Sequence, residues 1–204
     1  MDTRISRLVR SIGKGVVLLP YRLVIAAIVE VLVFFARFTS YPWMSHLISQ
    51  FPFHPGMKIR NIFYRRTLLA CGEKTTFQFG TIVSYRDIRV GSNVRIGPYN
   101  MIGSANIGDN VMTAAYCSLL SGKGQHNSER LDIPMTEQGG TRSHITIGSD
   151  VWLGNGAIVM ADVGAGCIVG AGSVVTRPVS DFDVVAGNPA RVIRSRLKAP
   201  PPET

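Results

Sequence analysis

Residues 145–159 read ITIGSDVWLGNGAIV, and the spacing of their aliphatic side chains decides the fold. Ile147, Leu153 and Val159 stand six residues apart, and the first two are each followed by glycine. Working backwards, the same period runs through Val90, Ile96 and Ile102, then Ile107, Thr113 and Leu119; working forwards, it runs through Val163, Val169 and Val175. Eight of these twelve positions precede a glycine, namely Gly91, Gly97, Gly103, Gly108, Gly148, Gly154, Gly164 and Gly170. With 21 glycines among 204 residues, chance would supply about one such match. A strand period of two does not explain a recurrence at every sixth residue, and a helix period of 3.6 drifts off it within two repeats. A hexapeptide β-helix explains it: each unit is a short strand and a turn, the aliphatic residue points inward, and the glycine takes a turn dihedral that other residues resist. Three units close one triangular coil, and stacked coils share a continuous core. The register slips from Ile102 to Ile107 and again from Val159 to Val163, where the step is two residues short of a unit.

The repeat stops after Leu119 and resumes at Ile147. The intervening segment, 122–144, is polar and aperiodic, and a loop of that length in a compact repeat domain is either functional or disordered. His126 stands at its start, where the edge of a coil would hold the imidazole beneath a covering loop, and its ordinary pKa near neutrality suits a general base. His144 closes the loop and is a weaker candidate for a supporting role. His46 and His54 precede the repeat, and no three histidines have metal-ligand spacing, which disfavours a metal centre.

The 22 Lys and Arg against 13 Asp and Glu give a formal charge of +9, which suggests an anionic partner. No zinc spacing, helix-turn-helix pattern or aromatic-basic interleaving accompanies it, so nucleic acid is disfavoured. Cys71, Cys117 and Cys167 are odd in number and widely spaced, and read as small buried residues in a reducing compartment.

The stretch from His126 to Arg194 resembles the hexapeptide-repeat acetyltransferases, which include galactoside, maltose and polysaccharide-biosynthesis O-acetyltransferases. The resemblance is carried by GQHNSERLDIP at 124–134, ITIGSDVWLGNGAIV at 145–159, VGAGSVVTRPV at 169–179 and VVAGNPARVIR at 184–194. GMKIRNIFYRRTLLACG at 56–72 is similar to the lead-in of the polysaccharide branch. The resemblance implies a left-handed β-helix and a homotrimer, with acetyl-CoA as donor in the groove between neighbouring subunits and no metal. By matched motif it implies His126 as the catalytic base. Trp152 and Asn155 would flank the pantetheine and thioester, and the backbone at Ala171 would meet the pantetheine amides. Thr176 and Arg177 would approach the nucleotide end, and Arg191 and Arg194 its phosphates. Asn100, on an earlier coil, is a weaker candidate for contact with the acceptor. Transfer would be direct, without a covalent enzyme intermediate, because Cys117 lies within the repeat where burial makes a thiol inert.

Residues 1–14 place Arg4, Arg7, Arg10 and Lys14 among Ile5, Leu8, Val9 and Ile12, a basic amphipathic helix. Val16 to Phe38 is almost wholly apolar but is interrupted by Glu30. The apolar run from Leu23 to Val29, continued after Glu30 by Val31 to Ala36, is short for a span, so a monotopic or re-entrant anchor at the cytoplasmic face of the cell membrane is favoured over a full span or a trimer contact. The expected architecture is all-β: a membrane-associating helical segment at 1–40, a lead-in at 41–89, the β-helix at 90–180 and a cap and tail at 181–204. The expected activity is O-acetylation of a sugar hydroxyl on a surface polysaccharide or glycolipid precursor. N-acetylation of an amino sugar and a non-catalytic scaffold are the alternatives.

Overall fold

The computed structural model describes residues 3–122 and 124–198, with side chains from Leu19 to Leu197. The basic face of residues 1–14 and the tail at 199–204 lie outside the described side chains. Three helices come first: α1 (Thr3–Phe35), α2 (Tyr41–Ser49) and α3 (Phe53–Thr67). The expected architecture places helix only within 1–40, so α2 and α3 depart from it; the all-β expectation holds from Ala70 onward, and the first half of the lead-in is helical. In α1 the buried residues Ile25, Val29 and Leu32, continued by Ala36 just after the helix, form one stripe at helical spacing that joins the hydrophobic core. Glu30, the charge that interrupts the apolar run, pairs with Arg66 of α3. No helix of the described residues is long and apolar enough to cross a membrane.

The remainder is a three-walled parallel β-helix. The first coil carries β1 (Ala70–Cys71), β2 (Thr76–Phe77) and β3 (Ile82–Val83), and the second β4 (Arg89–Val90), β5 (Arg95–Ile96) and β6 (Met101–Ile102). The third carries β7 (Ala105–Ile107), β8 (Met112–Thr113) and β9 (Ser118–Leu119), and the fourth β10 (Ile145–Ile147), β11 (Trp152–Leu153) and β12 (Ile158–Val159). The fifth runs through a bridge at Val163 to β13 (Ile168–Val169) and β14 (Val174–Val175), and a last bridge at Val179 leads to β15 (Asp183–Ala186) and β16 (Arg191–Ser195). One wall is β1-β4-β7-β10, the second β2-β5-β8-β11-β13-β15, and the third β3-β6-β9-β12-β14, with β16 closing antiparallel on β15. Coiling thus begins at Cys71, one turn before the repeat that starts at Val90.

Stacking locates both register slips. From first wall to second the inward residues are six apart in every coil, as in Val90–Ile96 and Val163–Val169; from second to third they are again six apart, as in Ile96–Ile102 and Leu153–Val159. All variation falls at the corner between the third wall and the next coil's first wall, where Ile102–Ile107 and Val159–Val163 lie. The loop from Leu120 to His144 leaves and returns at this corner too. The shortened step disturbs nothing beyond it, since Trp152 still pairs with Ile168 and Leu153 with Val169.

The glycines after the inward residues have a different purpose from the one expected. The positive φ values at the first corner belong to Lys74, Asn93, Asn110, Asp150, Gly166 and Phe182, and not to those glycines. What Gly154 needs is room: a Cβ there would lie 2.5 Å from the backbone nitrogen of Ala171 in the coil above. Buried polar groups are satisfied between coils; Thr75 and Thr81 donate to Gly91 and Gly97 carbonyls at 2.7 and 2.8 Å.

The helices close the first coil. Arg60 of α3, 1% exposed, donates through Nε to the Phe77 carbonyl at 3.0 Å and through Nη1 to the carbonyl of Phe51 at 2.7 Å. Asn61 accepts the Phe77 N–H through Oδ1, and Ser45 of α2 accepts the Val83 N–H through Oγ, each at 2.8 Å. Side chains thereby occupy strand-edge groups of β2 and β3 that would otherwise template association.

Candidate active site

The excursion at the variable corner folds back on itself. Its two arms are joined by Asn127 N–H to Gly139 O at 2.9 Å and Ser143 N–H to Ser121 O at 3.2 Å, and a short 3-10 turn at Met135–Glu137 caps the far end. Inside the fold, Gln138 donates to the Arg130 carbonyl at 2.7 Å and accepts the Arg130 N–H at 3.1 Å. The loop is rooted by Arg142, which donates to both carboxylate oxygens of Asp87 at 3.0 and 2.6 Å and to Ser104 Oγ at 2.9 Å. His144 Nε2 lies 3.7 Å from the same carboxylate, so it belongs to the root of the loop. The Arg142 hydrogen bonds hold the Asp87 carboxyl below the ordinary carboxylate range and push the guanidinium further up.

His126 is exposed on the outgoing arm, and among the described residues its ring has no hydrogen-bond partner. Trp152, half exposed at 50%, opens β11 on the outer face of the second wall, in line with Met112 and Ile168. Asn155 is exposed at the next corner, and its carbonyl accepts the Gly172 N–H at 2.8 Å, so Ala171 and Gly172 lie one coil above it. A Cβ on Gly156 or Gly172 would meet nothing within 4 Å, so this stacked corner is open to an approaching chain. Thr176 and Arg177 follow β14 on the corner that also bears the loop. Arg177 and Arg191 share a cavity of about 190 Å³ with Asp183 and Ser180, whereas Arg194 is exposed on β16 outside it.

Asn100 has no acceptor-facing end: it is 1% exposed, its amide nitrogen donates to Thr113 Oγ1, and its Oδ1 accepts the Cys117 N–H at 2.6 Å. It is a rung between two coils, and the sequence expectation for it is corrected. Cys117 is buried, its Sγ 3.2 Å from the Gly154 carbonyl, and burial pushes its thiol up. Among the described residues no group of three or more His, Cys, Asp or Glu side chains is placed to hold a metal. Sequence reasoning missed Tyr85, Asp87 and Arg142, which stand together although Arg142 is far from the other two in the chain.

Residues 144–177 match the family model for the bacterial transferase hexapeptide (six repeats). A probable acetyltransferase of Mycobacterium tuberculosis is 31% identical over 114 residues, covering 53% of this chain and 37% of the relative. Among solved structures, a maltose O-acetyltransferase from Clostridium difficile superposes with TM-score 0.67 at 24% identity, covering 76% of this chain and 84% of that one. A galactoside acetyltransferase in complex with coenzyme A superposes with TM-score 0.59, also at 24% identity, covering 76% and 78%. The chain spans between 25% and 55% of the length of the first curated relatives. The fold is therefore the left-handed β-helix of these two solved structures. The chain carries the hexapeptide repeat itself, and its named relatives are acetyltransferases.

Proposed function

We propose that this protein is an acyl-CoA-dependent O-acetyltransferase acting on a sugar hydroxyl of a surface-polysaccharide or glycolipid precursor. The observation that carries the proposal is a rooted loop bearing an exposed imidazole, set into a hexapeptide β-helix whose relatives are acetyltransferases. The donor's residues fit its chemistry. The open corner at Asn155 and Ala171–Gly172 admits a slender pantetheine arm against the backbone, and Arg177 and Arg191, which line one cavity together with Asp183, carry guanidinium groups suited to phosphate oxygens. Acetyl-CoA would supply the activated acetyl group as a thioester. His126 would take the proton from the acceptor hydroxyl, and Trp152 would wall the approach.

A homotrimer is part of the proposal. Its support is the outer face of the third wall, where Ile82, Met101, Ile158 and Val174 stand in a row interrupted only by Ser118, and the upper part of the neighbouring row, where Met112, Trp152 and Ile168 follow Thr76 and Arg95. The polar first wall, with Arg89, Asn106 and Thr146, would face solvent. The exposed apolar side chains of α1 and α2 support attachment to the cytoplasmic face of the membrane.

Transfer from acetyl-CoA to candidate glycans is the test. Replacing His126 by Ala should lower kcat by roughly a hundredfold to ten-thousandfold with folding intact. No turnover with any hydroxyl acceptor, or a variant as active as the parent, overturns the proposal; transfer only to amino sugars moves it to N-acetylation.

A further inference from the structure

Away from the β-helix, α1 and α3 enclose a cleft of about 370 Å³. Among the described residues three cations line it, Arg22 from α1 and Lys58 and Arg65 from α3, and no acidic residue does. Among the described residues none of the three is in an ion pair, and the nearby carboxylate Glu30 is taken by Arg66. Lys58 Nζ sits 5.0 Å over the Tyr21 ring, which restrains the ammonium at the wall of the cleft. Asn61 also lines it, and since its Oδ1 already accepts the Phe77 N–H, its remaining polar end is the NH2 donor. Cations and a donor without a counter-charge make a site for an oxyanion.

What surrounds the cleft narrows the anion. Leu19, Leu23 and Val24, beside Arg22 on α1, are 59%, 62% and 57% exposed. Farther along the same module Phe34, Phe38 and Trp43 are also turned to solvent. A soluble phosphate needs the cations but not the apolar apron; a phospholipid has both a phosphate and acyl chains, and matches both.

We propose that the cleft between α1 and α3 seats the phosphate of an anionic membrane phospholipid, with the apolar side chains of α1 and α2 lying in the acyl boundary. This rests on the membrane attachment proposed above and is independent of acetyl transfer.

The full-length protein should sediment with vesicles of phosphatidylcholine containing phosphatidylglycerol, and far less with phosphatidylcholine alone. Each neutralised cation should weaken binding roughly fivefold, and Arg22→Gln, Lys58→Gln and Arg65→Gln together by about a hundredfold. The triple variant should keep the parent's thermal unfolding midpoint. Removing the same charge from the β-helix with Lys74→Gln, Arg89→Gln and Arg95→Gln, exposed cations outside α1 and α3, separates a seated phosphate from diffuse attraction. Equal losses in the two triple variants, or no loss in the cleft variant, overturn the site while leaving membrane attachment standing. Binding of glycerol 3-phosphate that displaces the protein from vesicles at low concentration overturns the lipid assignment in favour of a free phosphate. A parent that binds no vesicle overturns both the site and the attachment.

Discussion

Arg142 clasps Asp87 across 55 residues of chain, with both terminal nitrogens on the two carboxylate oxygens and the guanidinium face 4.2 Å from the Tyr85 ring. The pair fixes where the loop re-enters the coil. Both side chains are more than a third exposed, so solvent screens the pair and its contribution to stability is about 1 kcal/mol or less. Since the Asp87 carboxyl is held below its ordinary value, that contribution is present above the unfolded carboxyl's pKa of about 4 and is lost as pH falls through the lower folded value. Unfolding midpoints of parent and Arg142→Ala should differ at neutral pH and converge in strong acid. A difference that grows in acid would contradict this.

Arg60 should be far more costly to replace. Arg60→Met leaves the carbonyls of Phe77 and Phe51 buried without their donor, and a loss of about 3–5 kcal/mol is expected. Burial already pulls the guanidinium pKa below its usual value, yet Arg60→Lys should not rescue, because one ammonium cannot reproduce the fork. Denaturant midpoints for the two variants check this.

Two neighbouring glycines should respond differently to alanine. At Gly154 the added carbon meets the Ala171 backbone, which cannot yield, so Gly154→Ala should cost about 2–3 kcal/mol. At Gly156 the space is open and the only penalty is its φ of +69°, so Gly156→Ala should cost about 1–2 kcal/mol. Chemical denaturation of the pair measures the contrast.

Thiol labelling of the folded protein should modify Cys71, slowly, because it is only partly covered and burial raises its pKa. Cys117 and Cys167 are buried and should react only after unfolding. Rapid native labelling of Cys117 would reopen the case for a covalent mechanism.

The sequence shows the β-helix clearly because its inward residues keep a fixed spacing along two of every three sides, so periodicity survives irregular corners. The first coil escapes that signal because Phe77 and Val83 are followed by Gln78 and Ser84 instead of glycine. The helical lid at 41–67 is harder still to read: what holds Ser45 in place is the Val83 N–H, 38 residues away, and no local pattern reveals such a contact. The same holds for Asp87 and Arg142. His126 could be singled out since it opens the one long aperiodic segment, whereas Asn100 looked available because nothing in a sequence tells a solvent-facing corner from an interior rung.

The prism tolerates change unevenly. Extra chain spliced at its one permissive edge merely enlarges what protrudes there, as the segment from Leu120 to His144 already demonstrates. A single residue added on either of the two invariant sides would turn each following aliphatic group from interior to solvent until the next edge. Diversification of substrate choice within this architecture therefore has one economical route, and it runs along the edge that carries the imidazole.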